Sequence, residues 1–268
     1  MEQEKIELTI ITVCYNSENT INNTIESIVS QLNDDTEYLI IDGQSNDGTM
    51  DVIRDAQKKW PIRVVSEPDE GIYDAMNKGM RLARGRWLLY INSDDRLKAD
   101  VLVKMLPILK ADKVNDCICT DVEMRRRVHG EWYFRIWAAE KADHRIHMDL
   151  PFCHQGMYIR KEAMDEEKGF HCNFRIAADW DLVLRMYRSG RKFHILHVVN
   201  AEFLEGGASN KRMVWEKHQI RISNKSYLWI IPGLAVDLKN RLRSELGKWL
   251  LGDKKDRIVV EKNYTKVG

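Results

Sequence analysis

The chain has 268 residues, 44% hydrophobic and 31% charged, with 42 basic against 41 acidic side chains and a formal net charge of +1. That length and composition fit one large α/β domain, or one domain with an appendage, and exclude a disordered or fibrous chain. The charge balance argues against a generic nucleic-acid binder, which would carry a net basic surface. Five cysteines, with no second Cys/His pair at zinc-site spacing, read as free thiols of a reducing compartment. No leader opens the sequence and no apolar run reaches the ~18 residues that cross a bilayer, so the expected location is cytoplasmic.

In chain order, Ile6–Cys14 reads as a strand, and Ser17–Gln31 as a helix with Ile21, Ile25, Ile28 and Val29 on one face. Tyr38–Ile41 is a second buried strand, followed by the turn-rich Asp42–Gly48 loop and a helix over Thr49–Lys59. Ile62–Ser66 is a third strand, Gly71–Ala83 a helix closed by Arg84-Gly85, and Trp87–Ile91 a fourth strand. This βαβαβαβ alternation predicts a mostly parallel sheet with helices on both faces. Beyond it, Val101–Lys110 is helical, Asp116–Arg126 and Glu131–Ile136 are strands joined at His129-Gly130, and Phe152–Ile159 is a strand. Trp180–Arg188 is expected as a helix, Phe193–Val199 as a strand, and Lys211–Lys225 as a helix.

The apolar run Trp87–Ile91 ends abruptly in Asn92-Ser93-Asp94-Asp95. Open α/β sheets bind ligands at the carboxyl ends of their strands. Adjacent carboxylates repel, so they persist best where a cation or a cation-bound diphosphate neutralises them. A polar turn capping the next helix accounts for the same residues. Polar chemistry also ends the other three strands: Tyr15-Asn16 after the first, Asp42 after the second, Asp69 after the third.

Four strings, Thr9–Asn16, Ile40–Thr49, Glu67–Gly79 and Ile91–Asp95, resemble those of glycosyltransferase family 2, and the likeness extends over about residues 6–207. The resemblance implies a GT-A fold, an α/β architecture with a nucleotide-sugar half (1–100) and an acceptor half (101–226), in the style of enzymes that build exopolysaccharide, capsule or O-antigen. It implies donor contacts from Tyr15, Asn16, Asp42, Asp69, Asp74, Lys78 and Asp94. It also implies a divalent cation, Mn2+ or Mg2+, on Asp94 and Asp95, with their division of labour open. Many relatives carry an acidic residue where Gly43, Asn92 and Ala178 stand. Asp179 matches the catalytic base, and His154, Trp180, Gly206 and Gly207 match acceptor-side or loop positions.

The implied reaction is inverting transfer of a hexosyl or N-acetylhexosaminyl group from a nucleotide-diphosphate sugar, expected to be a UDP-sugar, to a glycan or lipid-linked acceptor. A catalytically impaired binding module and a nucleotidyltransferase are the alternatives. The nucleotidyltransferase would need a Gly-rich, Arg/Lys-bearing loop where Cys14-Tyr-Asn-Ser-Glu18 stands. Residues 227–268 form an amphipathic, basic extension, and 227–257 fit either peripheral contact with the inner face of the cytoplasmic membrane or ordinary packing on the domain.

Overall fold

The computed structural model describes residues 6–205, 213–251 and 263–266. The first half alternates as its apolar periods predict: β1 (Leu8–Cys14), α1 (Ile21–Val29), β2 (Thr36–Asp42), α2 (Thr49–Gln57), β3 (Ile62–Ser66), α3 (Ile72–Leu82) and β4 (Trp87–Tyr90). β1 and β4 are buried along their whole length, which explains why they read as continuous apolar runs. β1 pairs in parallel with both β2 and β4, and β2 with β3. Four carboxyl ends therefore share one sheet edge.

The second half comprises β5 (Arg96–Leu97), α4 (Val101–Ala111), β6 (Cys117–Val128), β7 (Glu131–Trp137), β8 (Met157–Arg160), α5 (Lys161–Glu166), α6 (Ala178–Arg188), β9 (Phe193–Leu204), α7 (Met213–Ser223), α8 (Ile230–Leu251) and β10 (Thr265–Lys266). The strands run in the order β10-β7-β6-β8-β4-β1-β2-β3. The parallel arrangement stops at β4, because β8 enters from the carboxyl edge and pairs antiparallel with both β4 and β6. The expected hairpin is present, with His129 and Gly130 at φ 50 and 87, the left-handed pair of a two-residue turn. β5, α5 and β10 carry too few residues to show a period.

The segment expected as a strand over Phe152–Ile159 instead opens with a 3₁₀ turn, His154–Gly156, before β8 begins. This turn presses on β6. Thr120 Oγ1 donates to the Gly156 carbonyl at 2.9 Å, and a Cβ on Gly156 would sit 2.4 Å from the Thr120 carbonyl oxygen. Only glycine allows that approach, and it is what delivers His154 and Gln155 to the sheet edge.

Two apolar layers cover the sheet. One joins Ile11, Val13, Leu39 and Ile41 to α3, α5 and α6; the other joins Leu8, Ile10 and Ile40 to α1 and α4. Burying each such side chain contributes about 1.5–3 kcal/mol. Gly156→Ala should cost about 1–3 kcal/mol, the usual penalty of overpacking, read as a lower urea midpoint at unchanged slope.

Candidate active site

The strand-end loops are stitched together by polar side chains. The Asn16 N–H donates to Ser45 Oγ (2.8 Å), and the Asn46 N–H to Asn16 Oδ1 (3.0 Å). Asn16 adopts φ 49, a left-handed conformation that Asn tolerates. The Ser17 N–H donates to Thr49 Oγ1 (2.7 Å), and Ser17 Oγ meets Ser93 Oγ at 2.8 Å. The loops after β1, β2 and β4 thus form one surface.

At the β1–β3 end, Tyr15 is 60% exposed and lies beside Gly43. A Cβ on Gly43 would fall 2.4 Å from Asp69 Oδ2 and 3.5 Å from Tyr15 Cδ2. The Asp69 carboxylate occupies the space an acidic residue at position 43 would need. Its other oxygen accepts from the Gly71 N–H at 2.8 Å. Asp42, by contrast, is wholly buried, its oxygens taken by the Ser45 N–H, Ser45 Oγ (2.5 Å) and Ser66 Oγ (2.6 Å). It shapes the loop from behind and presents no oxygen to a ligand. Lys78 is likewise engaged, by the Pro68 carbonyl, Glu67 Oε1 (3.2 Å) and Asp74 Oδ2 (3.6 Å). Asp74 and Lys78 therefore brace the β3–α3 loop; neither points a free charge at the sheet edge.

At the end of β4 the two carboxylates divide. Asp95 is buried; Gln155 Nε2 donates to its Oδ2 at 2.7 Å and the Leu204 N–H to its Oδ1 at 3.2 Å. Asp94 is exposed, and with Arg96, Arg125, Trp132 and Phe203 it lines a cleft of about 310 Å³. Asn92 Oδ1 is buried with no hydrogen-bond partner among the described residues. An orphaned oxygen beside an exposed carboxylate is a donor set that suits a hard divalent cation. No cluster of three or more metal-ligating side chains occurs among the described residues, so a cation here would complete its shell from a bound diphosphate and water.

His154 and Asp179 converge on the same turn. His154 Nε2 lies 3.4 Å from Asn92 Nδ2, and His154 Nδ1 lies 3.5 Å from Asp179 Oδ2. Asp179 sits in the first turn of α6. Its Oδ1 accepts from the Trp180 N–H (2.8 Å) and faces Tyr73 OH (3.4 Å), which leaves Oδ2 the freer oxygen. Trp180 itself is a packing residue: it is 2% exposed, and its indole N–H donates to the Ile146 carbonyl at 2.7 Å, so it offers no face to a sugar. Asp181 is buried against Arg185 Nε (2.8 Å) and Asn224 Nδ2 (2.7 Å) and holds α6 to α7. Gly206 and Gly207 lie outside the described residues.

Three contributors escape a motif reading. Gln155 holds Asp95, Tyr73 flanks Asp179, and Glu216 caps the approach to α6 by accepting from the N–H groups of Arg175, Ile176 and Ala177 at 3.0, 2.8 and 3.1 Å. Gln155 carried a signal, an amide next to His154 in a mostly apolar segment, where a buried amide must find a partner.

The profile of "Glycosyl transferase family 2" matches residues 9–168. The chain belongs to that family. A PGL/p-HBAD biosynthesis glycosyltransferase of Mycobacterium bovis is 32% identical over 191 residues, 69% of this chain and 72% of the relative. Among solved structures, S. aureus TarS 1–349 in complex with UDP-GlcNAc superposes with a TM-score of 0.63 at 16% identity, covering 81% of this chain and 66% of that one. The mannosyltransferase PcManGT of Pyrobaculum calidifontis, in complex with GDP-Man and Mn2+, gives 0.58 at 16% identity, covering 83% and 64%. At such identity these two show the fold, and that fold is GT-A.

Burial, followed by the charge of Asp94, raises the Asp95 carboxyl to about 7 despite its two donors. The folded value lies above the unfolded value of about 3.9, so this group's stabilisation is full below pH ~4 and lost as pH rises through about 7. In the metal-free protein the urea midpoint should therefore fall between pH ~4 and ~7, and Asp95→Asn should flatten that fall.

Proposed function

We propose that this family 2 glycosyltransferase transfers a hexosyl or N-acetylhexosaminyl group, with inversion, from a UDP-sugar to a hydroxyl of a glycan or lipid-linked oligosaccharide in cell-surface polysaccharide synthesis. The observation that carries the reading is the bridge from the acidic turn to the α6 terminus: Asn92 to His154 at 3.4 Å, and His154 to Asp179 at 3.5 Å. The acidic turn at the sheet edge and the Asp179 carboxylate at the α6 start are thereby neighbours, which is the arrangement single displacement requires.

In this reading the exposed Tyr15 ring and the Asp69 carboxylate over Gly43 receive the base, Asn16 borders the ribose, and Asp42 positions their loop. Asp94, with the orphaned Asn92 oxygen, would hold the divalent cation, while Asp95 is held back by Gln155 and Leu204. A bound Mn2+ or Mg2+ supplies Lewis-acid stabilisation to the departing diphosphate. Asp179 Oδ2 takes the proton of the acceptor hydroxyl. The acceptor oxygen bonds to the anomeric carbon as the bond from that carbon to the diphosphate oxygen breaks, its electron pair leaving with the nucleotide. Attack from the opposite face converts an α-linked donor into a β-glycoside. His154 and the Trp180 N–H keep Asp179 aimed.

Asp179→Asn should lower kcat by at least about 10²-fold, the usual contribution of a positioned base, with donor affinity kept. Unchanged transfer by that variant would remove Asp179 from the role. Asp94→Asn should abolish the Mn2+-dependent part of the rise in melting temperature produced by UDP-sugars, because the ion's free ligand is gone.

A further inference from the structure

The docked face of α8 is settled by one buried cation. Arg221 of α7 is fully buried, with Nη1 on Asp237 Oδ2 at 2.9 Å, Nε donating to the His147 carbonyl and Nη2 to the Met148 carbonyl. A Cβ on Gly233 would lie 2.3 Å from the Arg221 Cζ, so the α8 backbone rests directly on the guanidinium. Trp229, at the root of the helix, stacks on His147 with centroids 5.7 Å apart and planes 4° off parallel. Gly233 and Asp237, one turn apart, therefore face the domain.

At 100° per residue the side of that helix away from Gly233 and Asp237 carries Ile231, Leu238 and Leu242. Ile231 is 80% exposed, Leu238 57%, Leu242 53%, and Leu228 just before them 89%. The sequence continues the spacing through Leu246 and Trp249. Lys239 falls on one flank of this stripe, Arg241 follows it two residues on in the sequence, and Lys225 is exposed in the preceding turn. Between 225 and 257 there are eight Lys/Arg against four Asp/Glu, and one of those four, Asp237, is already paired with Arg221. An apolar stripe beside cationic side chains fits a surface that is apolar below and anionic above. A second copy of the helix would set like charges against each other.

We propose that α8 lies in the headgroup–acyl boundary of a bilayer containing anionic lipid, with Leu228, Ile231, Leu238 and Leu242 inserted and Lys225 and Lys239 at the headgroups. This goes beyond the sugar-transfer reading and does not depend on it. The geometry links the two all the same: α7, to which α8 is locked, also carries Glu216, which caps the residues leading to Asp179. A docked α8 would hold the acceptor side near the lipid surface.

The test is co-sedimentation of the full chain with phosphatidylcholine vesicles, with and without about one third phosphatidylglycerol. Binding is expected only to the anionic vesicles, weakening with salt, and falling at least about tenfold in Ile231→Glu/Leu238→Glu and in Lys225→Glu/Lys239→Glu. These positions are exposed, so melting temperature and transfer to a soluble acceptor should stay unchanged; loss of transfer alone would bear on the proposed function and not on this surface. Equal binding by wild type and Ile231→Glu/Leu238→Glu, or binding indifferent to phosphatidylglycerol, would overturn the proposal. So would a dimer in sedimentation equilibrium that Leu238→Glu dissociates while no vesicle binding is seen, because the stripe would then be an interface between copies.

Discussion

The site depends on the buried carboxylate of Asp95. It stands at the end of β4, and its two oxygens accept from Gln155, before β8, and from the Leu204 N–H, at the end of β9. Three segments remote in sequence are thereby drawn to one point, and a charge-assisted hydrogen bond left unpaired in such a place costs more than a neutral one. Because Asp95 is committed inward, Asp94 on the next residue turns outward. The turn thus separates a buried, hydrogen-bonded carboxylate from an exposed one. The elevated titration of Asp95 follows from the same burial and from having Asp94 beside it.

The parallel half of the fold was legible because its strands are buried throughout and so show as unbroken apolar runs between amphipathic helices. The strand-end residues followed from that, since a parallel sheet must place them on one edge. The second half of the chain was less legible. β6 and β9 are twelve residues each and pair in parallel through register shifts around Asp121, a contact that local periodicity does not encode. Asp42 and Asp94 look alike as acids after a strand. Ser45 and Ser66 close over the first, and nothing among the described residues closes over the second. Trp180 was ambiguous for a similar reason: a Trp beside a helix start suits a sugar platform or a core, and the Ile146 carbonyl decided for the core.

Two departures from the family pattern have physical counterparts in the structure. With no side chain at Gly43, the Asp69 carboxylate can move over the β2 loop and lie beside Tyr15, so an acid is still present at that spot although it comes from another strand end. With Asn in place of an acid at position 92, the amide nitrogen can face His154 Nε2, a contact that links the acidic turn to the α6 terminus. Ala178 has no such counterpart: it is buried in the core cluster beside Trp180, and the capping that an acid could supply comes from Glu216 on α7.

The family profile ends at residue 168, before Asp179, Leu204 and Glu216. The matched part therefore contains the four strand ends and the acidic turn, while the α6 terminus, the end of β9 and the α7 cap lie beyond it. Further contacts tie that later part back to the sheet. β10 pairs with β7, and Tyr264 OH donates to Glu205 at 2.7 Å, next to the Leu204 whose N–H holds Asp95. Arg135 joins them, donating from Nε to Tyr264 OH at 2.9 Å and from Nη2 to Glu205 at 3.2 Å. The last described strand thus acts through two neighbouring residues on the carboxylate that orients the acidic turn.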